Sequence, residues 1–177
     1  MHHQFHMLLD HGDMYCSLQG FQSRHGMVLK EISVAYDEDG ETRTRSFRPP
    51  FAWDLLDDKF KQTNEWMTKH FHGLEWDEGR IPYTQIKRTL SDLLLQSPDA
   101  VAYVSGVEQA RWLRDLTGDC KLEICDLQES YGCPSFRKLR VLYGEKHACE
   151  GIEHHSVCAR QNAQLLRAWF RDRQKQR

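Results

Sequence analysis

The chain lacks several features that mark common classes of protein. Its longest apolar runs span only a few residues, far short of the ~20 that a membrane-crossing helix needs. The formal net charge at pH 7 is −2, so the whole-molecule field attracts neither strongly acidic nor strongly basic partners. Internal repeats, low-complexity linkers and Gly-rich dinucleotide loops are also missing. These absences favour a soluble globular protein, in which any charged binding surface is a local patch.

The rest of the composition is typical of one domain with a single core. The chain has 177 residues, of which 40% are hydrophobic and 28% are charged. Residues 1–14 begin His-rich and lack the apolar core of a signal peptide, so we expect an extension, followed by a domain over 15–173 and a basic tail over 174–177. Six cysteines without a regular framework indicate a reducing, intracellular location, cytoplasmic or nuclear or both.

Hydrophobic periodicity and turn signals predict alternating strands and helices. Asp-Glu-Asp-Gly at 37–40 is a hairpin signal between two of the strands. The predicted helix 58–70 has Phe60, Trp66 and Met67 as its apolar positions. The predicted strands are 15–21, 27–36, 42–47, 100–104 and 122–125. The predicted helices are 58–70, 84–96, 106–118, 135–143 and 158–173.

The order of these elements predicts the fold. Three antiparallel strands come first, and helix, strand, helix, strand and helix follow. This is the order of the RNase H-like fold, and in particular of proofreading exonucleases of the DEDD type. We therefore expect a mixed five-stranded sheet flanked by helices.

One ten-residue segment near the C-terminus concentrates possible metal ligands. Residues 149–158 read CEGIEHHSVC. Structural zinc sites take thiolate and imidazole ligands in a tetrahedron, usually at short local spacing. Cys149, His154 and Cys158 supply three such ligands, and the fourth must come from elsewhere. The alternative is a surface His pair flanked by two reduced thiols. We expect a zinc ion, Zn²⁺, as the cofactor.

Three sequence features together resemble the Maelstrom domain. They are Lys30-Glu31-Ile32 in the second strand, the strand–Gly–helix–Trp pattern over 101–113, and the Cys…His…Cys-Ala run near the end. The Maelstrom domain is an exonuclease-like RNase H fold that holds zinc with Glu, Cys, His and Cys. A similar zinc site occurs in arenavirus nucleoprotein exonucleases. The resemblance covers most of the chain from Tyr15 onward, and it implies a role in small-RNA-guided transposon silencing.

The resemblance implies that Glu31 is the fourth zinc ligand. We expect Glu31 to lie in mid-strand and to share its strand face with Ala35 and with Met27 or Leu29. A carboxylate in such a half-buried place is costly unless it is paired or metal-bound. A salt bridge to an Arg or Lys is the alternative.

This chain departs from the Maelstrom pattern in its ligand spacing. Four residues separate Cys149 from His154, where the family typically has two. His155 and His147 therefore stay open as alternative ligands. Four protein ligands would leave no open position for a reactive water, so we expect the zinc to be structural.

The acidic residues of a two-metal nuclease site are missing from the matching positions. Exonucleases of this fold hold two divalent ions with Asp-x-Glu on the first strand and two further Asp residues. Ser17 and Gln19 stand in the first-strand positions, and Asn162 stands in the last helix. Glu108 lies near the second acidic position but is alone. We therefore predict no catalytic residues. The alternative is a first strand over 5–13 that uses Asp10 and Asp13.

A short basic row predicts a nucleic-acid surface. Arg43, Arg45 and Arg48 recur along the third strand and are expected to point to one side. Phe51 and Trp53 are either base-stacking residues or a core pair. The last helix carries further basic residues, namely Arg160, Arg167 and Arg171.

These features together predict a function. We expect a catalytically degenerate exonuclease-like domain that acts as an RNA-binding or protein-interaction module, with single-stranded RNA or a protein as partner. One alternative is an active RNA nuclease with a non-standard site. Another is a viral or transposon-derived accessory protein that binds host factors.

Overall fold

The protein is built on one five-stranded sheet with helices packed on both faces. The structure, a computed structural model, describes residues 12–118, 120–144 and 158–176. The predicted strands are all present within these residues, with ends that differ by one to two residues. The strands are β1 (Met14–Ser23), β2 (Gly26–Tyr36), β3 (Thr42–Ser46), β4 (Val101–Val104) and β5 (Glu123–Asp126).

The sheet is mixed, as the order of elements predicted. Its strand order is β3-β2-β1-β4-β5. The first three strands pair antiparallel, and β1–β4 and β4–β5 pair parallel. The hairpin over 37–40 is confirmed, because Gly40 donates its N–H to the Tyr36 carbonyl at 2.9 Å. Gly40 has φ +74°, a conformation that glycine adopts at no steric cost.

Six α-helices lie in the described residues, and the sequence predicted five of them. The missed helix is α4, a five-residue turn that begins after Asp126, whose carboxylate accepts the N–H of Gln128 at 2.9 Å. In the described part of the chain, no helix is long and apolar enough to cross a membrane. The helices are α1 (Asp58–His70), α2 (Ile86–Leu94), α3 (Val107–Thr117), α4 (Leu127–Tyr131), α5 (Phe136–Tyr143) and α6 (Ala159–Lys175).

Alternation along β1 divides the core between the two faces of the sheet. Cys16 and Leu18 are buried with residues of α2 and α3. Tyr15 points the other way and is buried with residues of α4, α5 and α6. Successive side chains of a strand point to opposite faces, so one strand supplies both cores. The last helix, α6, therefore covers the face on which the odd-numbered residues of β1 lie.

A β-bulge between β1 and β2 changes which residues share a face. Gln19 pairs with Glu31, but the next residue, Gly20, pairs with Leu29, so Lys30 is an extra residue in β2. Leu29 consequently belongs to the core under α2 and α3. The prediction that Met27 or Leu29 shares a face with Glu31 is wrong for this reason, since Met27 also packs against that core.

The extra residue Lys30 holds a long loop against the sheet. Its side chain is 2% exposed. Its Nζ donates to the carbonyls of Phe47 and Trp76, at 2.7 Å each, and to that of Glu78. An ammonium group has three N–H donors, and here each has a backbone acceptor. Burial lowers the pKa of Lys30 to about 8, against the opposing effect of the Glu78 and Asp77 carboxylates.

Two side-chain amides complete the edge of β1 that β4 leaves unpaired. The amide of Gln109, from α3, accepts the N–H of Leu18 and donates to its carbonyl, each at 2.9 Å. The amide of Asn64, from α1, makes the same two bonds to Gln22, each at 2.9 Å. Each amide therefore takes the place of a neighbouring strand residue. Unpaired backbone groups inside a protein are costly, so these amides fix α1 and α3 against β1.

A buried imidazole completes the same edge between the two amides. His72 Nε2 lies 3.0 Å from the Gly20 carbonyl, and Nδ1 accepts the N–H of Leu74 at 3.0 Å. These bonds require the neutral tautomer with its proton on Nε2. The ring also packs edge-on against Phe21, with centroids 4.9 Å apart.

Candidate functional site

The face of the sheet beneath α6 is polar toward one end, and we call this area the polar sheet face. Directly paired residues in neighbouring antiparallel strands lie on the same side of a sheet. Helix α6 crosses this side, and its Gln164 Nε2 donates to Thr42 Oγ1 at 3.3 Å. The polar sheet face consists of two cross-strand rows, Gln19–Glu31–Ser46 and Ser17–Ser33–Thr44.

Half of the residues of the polar sheet face are closed to solvent. Ser17, Gln19 and Ser33 are all buried. Ser33 Oγ and Thr44 Oγ1 lie 2.7 Å apart and hydrogen-bond to each other. Polar groups in a dry interior are costly unless they are hydrogen-bonded. A run of buried serine and glutamine in the middle of a sheet is therefore a specialised feature and not ordinary core.

Glu31 is the charged member of this face. It is half-buried in β2, as the sequence predicted. Its burial, and secondarily the charge of Glu78, raise the pKa of its carboxyl above the ordinary value. Among the described residues no basic side chain forms an ion pair with Glu31. The predicted alternative, a salt bridge to Arg or Lys, therefore finds no partner in that part of the chain. A bound cation would stabilise the carboxylate here.

Two of the four predicted zinc ligands lie within the described residues. Cys158 is the N-cap of α6 and is buried. Its sulfur is disulfide-bonded, and zinc binding would require the reduced thiolate. Cys149 and His154 lie outside the described residues, as do the alternative ligands His155 and His147. Within the described ranges, no group of three or more His, Cys, Asp or Glu side chains could hold a metal ion. The zinc site stays a prediction.

Asn162 lies on the inward face of α6, and Ser105 follows β4. Both are buried, and neither Asn162 Oδ1 nor Ser105 Oγ has a hydrogen-bond partner among the described residues. A buried polar atom without a partner costs about 1–3 kcal/mol. A bound polar group would remove that cost.

Two carboxylates at or beyond the ends of the parallel strands β4 and β5 have different environments. Asp126 is buried at the end of β5, where its Oδ1 accepts the N–H groups of Gly106 at 2.8 Å and Gln128 at 2.9 Å. Those bonds join the starts of α3 and α4, a structural role that the sequence did not reveal. Glu108 is exposed in the first turn of α3.

The alternative first strand does not match the observed one. Strand β1 begins at Met14, so a strand over 5–13 is not the β1 of this sheet. Asp13 precedes β1, and its Oδ1 accepts the N–H of Val101 at 3.0 Å. Asp10 lies outside the described residues.

Only two of the three arginines in the predicted row lie in β3. Arg43 and Arg45 lie in β3 opposite Val34 and Ile32, so they share a strand face. Arg48 lies beyond the end of β3, because the strand stops at Ser46 and the next residue, Phe47, is buried. Arg48 therefore does not continue the strand face that Arg43 and Arg45 share.

The two strand arginines differ in their contacts. Arg43 forms an ion pair with Glu41 at 3.1 Å and lies over the Tyr36 ring at 5.1 Å. Arg45 donates to the Thr44 carbonyl at 3.0 Å and makes no ion pair with a described acidic residue. Arg45 is therefore the more available of the two for an anionic partner.

The basic residues of α6 are used inside the fold. Arg160 donates to the Thr42 carbonyl at 3.3 Å. Arg167 and Arg171 both donate to the carbonyl of Asp37, at 2.8 Å and 3.0 Å. These side chains hold α6 against the β2–β3 hairpin, so they are less available for nucleic acid than the sequence suggested.

Of the aromatic residues that the sequence singled out, Phe51 and Trp53 pack against the core, while Trp66 is exposed. Phe51 and Trp53 are partly buried at the edge of the core, where they pack against buried Trp76 with centroids 5.4 and 5.7 Å away. Trp66, predicted as an apolar position of its helix, is instead 57% exposed. The sequence therefore missed Trp66 as a surface residue.

Comparisons with known proteins add no family to this description. A scan against protein-family models and a search of curated proteins found no match. The resemblance to the Maelstrom domain therefore rests on the sequence positions alone.

Proposed function

We propose that this chain is an RNase H-like domain that has lost the two-metal nuclease site and binds single-stranded RNA. One observation carries the proposal. Ser17 and Gln19 are buried on the polar sheet face in β1, beside Glu31. Exonucleases of this fold hold carboxylates at the corresponding first-strand positions, so Ser17 and Gln19 keep the polarity of those two positions without their charge.

The sheet supports the fold part of the proposal. The strand order β3-β2-β1-β4-β5, with β1 antiparallel to β2 and parallel to β4, is the arrangement expected of RNase H-like domains. A long last helix across the antiparallel strands agrees with it. The kinship with the Maelstrom domain, and with it a role in small-RNA silencing, stays part of the proposal.

Electrostatics favours binding over cleavage. Two divalent cations held close together repel each other strongly, and several anionic ligands must compensate. Neutral hydroxyl and amide side chains at Ser17, Gln19 and Asn162 cannot do so. An RNA held at this domain would therefore stay intact.

A structural zinc ion is the second part of the proposal. Glu31, Cys149, His154 and Cys158 would hold it, and the ion would fasten the start of α6 to the sheet. The carboxylate of Glu31 supports this, because it is half-buried and has no described cationic partner. Cys158 is a buried sulfur at a helix N-terminus, but it is disulfide-bonded here and would bind zinc only after reduction to the thiolate.

The RNA contact that we propose runs along Arg43, Arg45 and Arg48. Arginine contacts to phosphate release counterions, so affinity should fall with rising salt. The test is fluorescence anisotropy of a labelled single-stranded RNA at several salt concentrations. Changing all three arginines to Ala should weaken binding for every sequence and flatten the salt dependence. Unchanged affinity in that variant would reject the arginine surface.

A further inference from the structure

Helix α1 carries an exposed tryptophan that the core does not use. Trp66 is 57% exposed and Phe71, directly after the helix, is 38% exposed. Exposed aromatic side chains are the groups on which single-stranded nucleic acids stack their bases.

The orientation of α1 is fixed by a buried residue on its opposite side. Asn64 is 0% exposed, and its amide makes both hydrogen bonds to the backbone of Gln22. Residues two positions apart on a helix point in widely different directions. With Asn64 held inward against β1, Trp66 must point outward. Its exposure is therefore built into the packing of the helix.

The neighbours of Trp66 on this outer face are basic and polar. Residues three, four and seven positions away lie on the same side of a helix. For Trp66 these positions include Lys69, His70, Gln62 and Lys59, all of them exposed. The His70 and Trp66 rings lie 5.7 Å apart at 45°. No described acidic residue forms an ion pair with Lys59 or Lys69. Lys69 and Lys59 therefore lie on the side of the ring without ion pairs, although Lys59 Nζ lies 4.8 Å from the centroid of the Phe60 ring and the exposed Glu65 precedes Trp66.

We propose that this outer face of α1, which we call the Trp66 platform, is a base-stacking site for single-stranded RNA. The inference rests on the proposed RNA-binding function and adds a second contact to it. Aromatic rings stack on bases of any identity, and nearby cations bind the phosphates between them. The positive charge around the ring complements a polyanion, which favours RNA over an uncharged protein surface.

The expected effect follows from the strength of stacking. Stacking on an aromatic side chain strengthens binding by about 1–3 kcal/mol per base, which corresponds to about 5- to 150-fold in affinity. Trp66→Leu keeps an apolar side chain but removes the stacking ring, so the dissociation constant should rise within that range. Trp66→Tyr keeps an aromatic ring and should recover most of the affinity.

The experiment is anisotropy of a fluorescent oligouridine of about 12 nucleotides with the full chain. Val141→Ala, at an 84% exposed apolar residue of α5, is the matched control and should bind like the wild type. Thermal unfolding of each variant shows that the fold is intact. We expect Trp66→Leu to weaken binding and Trp66→Tyr to restore it.

Three results would overturn the Trp66 platform. If Trp66→Leu binds as well as wild type while the arginine variant is defective, the platform is wrong and the proposed function stands. If the wild type binds no oligouridine, both fail. If anionic lipid vesicles, and not oligouridine, shift the tryptophan emission of the wild type but not that of Trp66→Leu, the face is a membrane contact.

Discussion

Arg171 and Asp37 tie the end of the last helix to the turn of the β2–β3 hairpin. Arg171 Nη1 donates to both the carbonyl oxygen and Oδ1 of Asp37, at 3.0 Å each. Arg167 donates to the same carbonyl through two nitrogens, and the Tyr15 hydroxyl donates to Asp37 Oδ1 at 3.3 Å. One turn residue therefore fastens α6 near its C-terminal end, while the proposed zinc ion would fasten its N-terminal end.

The first prediction concerns this fastening. Arg171→Ala removes two hydrogen bonds to Asp37, and its surface position limits the loss to about 1–2 kcal/mol of unfolding free energy. Urea denaturation measures it. Asp39→Ala in the same turn is the control, because among the described residues Asp39 only accepts the N–H of Glu41 and is exposed. An equal loss of unfolding free energy in both variants would show that the Arg171–Asp37 bonds contribute no more than the single bond of Asp39.

The second prediction concerns the side-chain amides at the edge of β1. Asn64→Leu leaves both the N–H and the carbonyl of Gln22 without their partner, so unfolding free energy should fall by about 2–4 kcal/mol. Gln62→Ala, two residues earlier on the exposed side of α1, should change it by less than about 0.5 kcal/mol. Chemical denaturation of the two variants side by side tests this. A small effect of Asn64→Leu would mean that water replaces the amide.

The third prediction concerns pH and His72. Burial lowers the pKa of His72 below that of an exposed histidine, while the Gly20 carbonyl opposes the shift. The ordinary pKa of histidine in an unfolded chain is ~6.5. Between that pH and the lower pKa of folded His72, the unfolded chain binds more protons than the folded one, so stability should fall as the pH drops through this range. His72→Gln should reduce this slope. Denaturation at a series of pH values measures the slope of unfolding free energy against pH. An unchanged slope in the variant would show that His72 is not its cause.

The fourth prediction distinguishes a protonated, metal-free Glu31 from a zinc-bound Glu31. Because burial raises its pKa, the folded protein without metal binds an extra proton, and stability should fall as pH rises through the shifted pKa. After chelation and reduction, Glu31→Gln should therefore be at least as stable as the wild type at pH 7. With zinc bound, the wild type should be more stable than Glu31→Gln, since an amide is a poor zinc ligand. Thermal unfolding with and without zinc, together with metal analysis, measures both. Stoichiometric zinc in Glu31→Gln would remove Glu31 from the site.

The strands and most helices were predictable because their signals are local. The alternating pattern of β2 and the Asp-Glu-Asp-Gly turn are contained within a few neighbouring residues. Helix α4 was missed because five residues are too few to show a helical period. The bulge at Lys30 was invisible because it depends on pairing with β1.

The roles of single polar residues were much less predictable. Asn64 and Gln109 bond to backbone groups that are 42 and 91 residues away in sequence, and no local pattern reports such contacts. The same reason explains why Trp66 was misassigned to the core, since the inward direction of its helix is set by Asn64. For the candidate site, the sequence identified Ser17, Gln19 and Glu31 on their strands, while the hydrogen bonds of Asp126 emerged only with the fold.

The central proposal is that this domain binds RNA without cutting it. The direct measurement is incubation of a 5′-labelled single-stranded RNA with excess protein and Mg²⁺ or Mn²⁺, followed by native and denaturing gels of the same samples. We predict a retarded complex on the native gel and full-length RNA on the denaturing gel. A ladder of shortened RNA that appears with metal and disappears in Glu108→Gln would contradict the proposal, because a working carboxylate site would then exist.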